Sequence, residues 1–96
     1  MKIPKIPSRV KIMNKVVYEI VWVDSFKDED VLGECRYDTK QIALKKGQSD
    51  RETFKTFSHE LFHAVCFERG INVSHKAIYQ FEDAIFYLLF HNEWPE

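Results

Sequence analysis

Cysteine is scarce in this chain. Cys35 and Cys66 stand in unrelated contexts and form no CxxC pair, so there is no sign of a disulfide framework. Both read as reduced thiols of an intracellular protein, and the cytoplasm is the expected compartment. Long apolar runs are missing too. None approaches the length of a membrane span, and no membrane partner is expected. The first residues contain Pro4 and Pro7 and no continuous apolar stretch, which argues against a signal peptide. Nor is there a basic excess, since the formal net charge is −1. Lys2, Lys5, Arg9, Lys11 and Lys15 make the N-terminus mildly basic and read as a solvated strand face, so no nucleic-acid partner is expected. Repeats, low-complexity tracts and linkers are all lacking, which makes residues 1–96 a single domain.

At 96 residues the margin for one hydrophobic core is thin. Eight phenylalanines allow that core to be dense. A metal bound only by the native state would stabilise so small a fold.

Residues 10–13 and 16–23 are rich in β-branched and aromatic side chains, with Asn14-Lys15 as a turn between them. The longer run reads as a strand buried on most of both faces. Residues 24–34 are polar and end near Gly33, which suggests a loop with room for one helical turn. Residues 35–38 and 41–45 read as two short strands around an Asp38-Thr39-Lys40 hairpin turn. Ile42 and Leu44 give the second of these one apolar face, as expected of an edge strand over a core.

Ser49 and Glu52 have capping-box spacing, and Gly70 is a natural stop, so a helix is expected to about Arg69. Ser74 caps a second helix running to about Asn92, with Pro95 beyond it. Strands followed by two helices define an α+β fold, a short sheet of three to four strands packed on two C-terminal helices.

The first of these helices carries His59-Glu60-Leu61-Phe62-His63. Histidines four apart project from the same side one turn apart, the spacing that lets two imidazoles reach one zinc ion. Glu60 sits about 100° round the helix. It is poorly placed to join them as a ligand, but it can reach a water on the ion and take its proton as the water attacks a carbonyl. Phe54, Phe57, Leu61 and Val65 form one apolar stripe with both histidines opposite it, while Phe62, Cys66 and Phe67 make the helix apolar nearly all round. Histidines in a helix buried on several sides need partners.

Catalytic zinc usually takes three protein ligands and leaves a position open. The downstream candidates are His75, Glu82 and Asp83. Glu82 lies in the middle of an apolar face made by Ile78, Tyr79, Ile85, Phe86 and Leu89, where an unpaired carboxylate is costly to bury. Zinc would supply the cation, so Glu82 is the expected third ligand. His75, seven residues earlier on the same face, is the alternative; it also reads as a donor to a reaction intermediate or as a capping residue. Asp83 points to a less central direction. Cys66 reads as a buried apolar thiol, Cys35 as strand packing and His91 as an end-of-helix residue. Tyr37 and Tyr79 are candidate donors to a reacting oxyanion, although tyrosines so placed are more often core.

At these residues the chain resembles small HExxH metallopeptidases of phage and bacterial genomes, the ImmA/IrrE-type and minimal gluzincin domains. The matching stretches are 33–38, 41–44, 56–64 and 81–84, with His59, Glu60, His63 and Glu82 at the motif positions. The resemblance implies a short sheet whose edge strand runs above a zinc cleft, with substrate lying along that strand, here residues 41–45, by strand addition. The helix-turn-helix or sensor domain of longer members is absent. A SprT-like arrangement with His75 as third ligand is the variant reading; its separate DNA-binding zinc segment is absent. The function expected is zinc-dependent hydrolysis of a peptide or protein. The competing expectation is a zinc-stabilised binding protein without turnover, against which the intact Glu60 argues.

Overall fold

The chain turns back on itself where Lys15 takes up the left-handed backbone conformation at φ 65°, so the first two β-rich runs pair as a hairpin. The computed structural model describes residues 3–93 and residue 95. Its elements are β1 (Arg9–Met13), β2 (Val16–Val23), β3 (Gly33–Arg36), β4 (Gln41–Lys45), α1 (Asp50–Arg69) and α2 (His75–Phe90). This is the α+β layout, a four-stranded sheet followed by two C-terminal helices.

The strand order is β1-β2-β4-β3. β1 and β2 are antiparallel, with Val10 opposite Tyr18. β2 and β4 are parallel, with Ile20 opposite Ile42 and Trp22 opposite Leu44. β3 and β4 form the second hairpin, with Cys35 opposite Ile42, and Lys40 at φ 57° helps close it. β4 is therefore not an edge strand, as its sequence suggested. It is paired on both sides, its backbone groups are used in both ladders, and no peptide can add along 41–45. The free edge on that side of the sheet is β3, which begins two residues earlier than expected, directly at Gly33. Residues 24–32 form bends and turns without a helical turn.

β2 is buried on one face rather than both. Tyr18 and Ile20 point into the core, while Val17 and Glu19 face solvent, because helix covers only one side of the sheet. The core is Tyr18, Ile20, Ile42, Leu44, Phe57 and Ala64, closed at its margin by Ile6, Val10, Ile12, Val16, Cys35, Phe54 and Leu61.

α1 starts where the Ser49 hydroxyl accepts the Glu52 amide at 3.2 Å. It stops where Gly70 turns left-handed at φ 66° and donates back to the last turn. Thr53, Phe57 and Ala64 lie on its buried side. α2 is capped by Ser74, whose hydroxyl accepts the Ala77 amide at 3.1 Å, and ends at Phe90 with His91 as its C-terminal cap. It packs on α1 alone. Such a helix needs only a narrow buried stripe, and Ile78, Glu82 and Phe86 supply it at four-residue spacing. Tyr79 and Ile85, expected on that face, are exposed. Among the described residues no helix is long and apolar enough to cross a membrane.

Candidate metal centre

At 100° per residue, His59 and His63 stand well round α1 from the Phe57–Ala64 stripe that meets the sheet. His59 lines a cleft of about 490 Å³ between residues 30–33, α1 and the first half of α2, and His63 stands beside His59 one turn further along the helix. The two rings are set edge to face with centroids 4.7 Å apart. Their Nε2 atoms are 3.1 Å apart. Two imidazole lone pairs that close repel unless a proton or a cation lies between them. Two nitrogens on one tetrahedral zinc at its usual bond lengths stand about 3.3 Å apart, so the donor pair fits such an ion.

His75, the first residue of α2, completes the group. Its ring centroid is 4.6 Å from that of His63 and 5.8 Å from that of His59. One nitrogen from each of the three histidines lies within 4.8 Å of the others. Ser74 places His75 here, because the cap fixes where α2 starts.

Glu82 reaches the site from a different direction. Its Oε1 is 2.5 Å from His59 Nδ1, the ring nitrogen that faces away from His63. With Nδ1–H donated to Glu82, the Nε2 of His59 keeps its lone pair for the cleft. This is the outer-carboxylate arrangement that orients metal-binding histidines. Glu82 is thus gathered into the site, but at the back of a histidine and outside the three-nitrogen group. Asp83 is exposed on the solvent side of α2.

Burial lowers the pKa of His59, with His75 adding to the effect. Burial likewise lowers His63, helped by His59 and His75. Both rings are therefore held neutral, the form that binds metals. Burial pushes Glu60 up to about 7, reinforced by the charges of Glu82 and Glu34. Among the described residues nothing hydrogen-bonds its carboxylate, which lines the cleft beside His59. A carboxylate held near neutrality with free oxygens is suited to exchange protons with a bound molecule. Burial also pushes Glu82 up to about 7, and Asp83 adds to this.

Gly33, which the sequence marked as the end of a loop, is a point of close approach between the sheet edge and the motif helix. A Cβ there would lie 2.5 Å from Thr56 Cγ2 and 3.3 Å from Glu60 Cγ. Only glycine lets the sheet edge pass this close to the motif helix. Tyr79 is exposed rather than core, and its ring stacks on His59 with centroids 4.8 Å apart. Its periodicity matched the apolar stripe because it lies at that stripe's margin. Cys35 and Cys66 are unpaired and half-buried; burial pushes the Cys35 thiol up to about 12, so it stays neutral.

No family model matches the chain, and neither a curated protein nor a solved structure resembles it significantly.

Proposed function

We propose that the chain is a zinc-dependent peptidase in which His59, His63 and His75 hold the metal and Glu60 is the general base. The observation that carries this reading is the 3.1 Å approach of the His59 and His63 Nε2 atoms, beside an unpartnered Glu60 carboxylate in an open cleft. When bound, zinc supplies Lewis acidity toward a carbonyl oxygen and lowers the pKa of water. Glu60 takes the proton of the attacking water and returns it to the departing amine. Glu82 fixes the tautomer and orientation of His59, a task that suits its position better than direct ligation. The histidine set favours the SprT-like variant over the gluzincin one.

The substrate strand is assigned to β3. The Lys45 amide donates to the Leu32 carbonyl at 2.9 Å, so Leu32, Glu34 and Arg36 bond toward β4 in the antiparallel ladder. Gly33 and Cys35 then direct their N–H and C=O groups to the open edge, where an extended peptide can pair with them. The free thiols suit a reducing, cytoplasmic compartment.

The second reading is a zinc-stabilised binding protein without turnover. Glu60→Gln separates the two. It retains the carboxylate's shape but cannot take the water's proton, so it is expected to keep metal and fold and to lose hydrolysis of a broad peptide library. Equal inertness of wild type and variant, both loaded with zinc, would favour the binding protein.

A further inference from the structure

The sheet edge that passes Glu60 does not end there. Alternate residues of β3 face α1. Gly33 approaches Thr56 and Glu60, Cys35 packs at the margin of the core, and Tyr37, just after the strand, stacks on Phe67 with centroids 4.3 Å apart. On α1, Thr56, Glu60 and Phe67 recur at spacings of four and seven, which makes one ridge under the strand. The strand edge and this ridge therefore lead from Glu60 to an aromatic pair.

That pair has surface to offer. Phe67 is 55% exposed. The nearby cation is engaged: Lys40 Nζ is 5.3 Å from the Phe67 ring centroid but 2.5 Å from Glu68 Oε2, which also accepts from the Tyr18 hydroxyl. The platform is thus apolar and aromatic with a neutralised rim, which suits an uncharged side chain better than an acidic or basic one.

We propose that Tyr37 and Phe67 form a side-chain subsite for an aromatic or large aliphatic residue of a peptide paired on β3. The proposal rests on the strand-addition reading above. A peptide residue opposite Gly33 lies beside Glu60. Side chains on the same face recur every second position, so the one opposite Tyr37 comes four positions along. The subsite therefore selects the residue four positions from the one presented to Glu60, and the chain's substrates are extended peptides carrying a bulky apolar residue there.

The test pairs two measurements on zinc-loaded protein with a positional-scanning library of fluorescein-labelled peptides. Hydrolysis by wild type locates the cut bond, and fluorescence polarisation with Glu60→Gln reads binding without turnover. Selectivity for Phe over Ala at one position about four residues from the cut is expected, falling about tenfold when Phe67→Ala is added, as loss of one apolar pocket wall does. Phe67→Leu, which keeps bulk and guards against a folding defect, is expected to fall between. Hydrolysis without side-chain preference at that position, or preference retained in Phe67→Ala, overturns the subsite. Phe67-dependent binding of Phe peptides without any hydrolysis supports the subsite and overturns the peptidase reading. Absence of both overturns both.

Discussion

Glu82 holds the back of His59: its carboxylate oxygen lies 2.5 Å from Nδ1, while Nε2 of the same ring faces His63 at 3.1 Å. One imidazole is thereby divided between a carboxylate and a second histidine, and under the zinc reading this assigns different consequences to losing Glu82 and losing His75. Glu82→Gln is expected to weaken zinc binding about 10- to 100-fold, the usual effect of removing an outer carboxylate. His75→Ala removes a donor and is expected to weaken it further. Competition titration against a chromophoric chelator reads both, and the reverse order would make Glu82 the third ligand.

The sheet edge and the motif helix meet at Gly33. Gly33→Ala places a Cβ 2.5 Å from the Thr56 methyl, and overpacking of this kind costs about 1–3 kcal/mol. Thr56→Ser removes that methyl and is expected to recover part of the loss. Urea unfolding of the two single variants and the double variant measures the coupling, and strict additivity would show that the two residues do not collide.

The metal-free protein should respond to pH in two opposed ways. Glu60 and Glu82 are raised by burial to about 7, so they contribute stability that is full below about 4.5 and is lost as pH rises through 7. His59 and His63 are lowered by burial, so their contribution is full above 6.5 and is lost as pH falls through their depressed values. Above 6.5 the carboxylates act alone. The melting temperature of chelator-treated protein is therefore expected to fall between pH 6.5 and 8, and Glu60→Gln to flatten that fall. A rise over the same interval would contradict the burial of Glu60.

A separate network ties the second hairpin to the end of α1. The fully buried Tyr18 donates its hydroxyl to Glu68 at 2.7 Å, and Lys40 pairs with the same oxygen. Tyr18→Phe is expected to cost about 1 kcal/mol in denaturant unfolding, the ordinary worth of one such hydrogen bond. Hydrogen bonds from Lys40 and Tyr18 hold the Glu68 carboxyl below its usual range. Its contribution is present above pH 4.5 and is lost as pH falls through the depressed value. Acid unfolding of Tyr18→Phe should accordingly set in at higher pH than in wild type.

The local signals of the sequence located the elements closely. Ser49, Gly70 and Ser74 mark the helix ends because capping is a contact between near neighbours. The position of β4 was not legible. An apolar face on Ile42 and Leu44 states what the strand buries but not which strands flank it, and the parallel pairing with β2 joins residues more than twenty apart. At the site, periodicity identified Glu82 as a buried carboxylate in need of a partner. It could not tell a metal ion from an imidazole N–H, since either one compensates the charge. His75 depended on where α2 begins relative to α1, which is set by the packing of the two helices.

Zinc content compared with thermal stability tests the site most directly. Elemental analysis of purified wild type is expected to give about one zinc per chain, and stripping the metal is expected to lower the melting temperature, because ligation and folding are coupled. His63→Ala should bind no stoichiometric zinc and should melt like the stripped protein. If stripped wild type, zinc-saturated wild type and His63→Ala all melt at the same temperature, the three histidines do not form a metal centre.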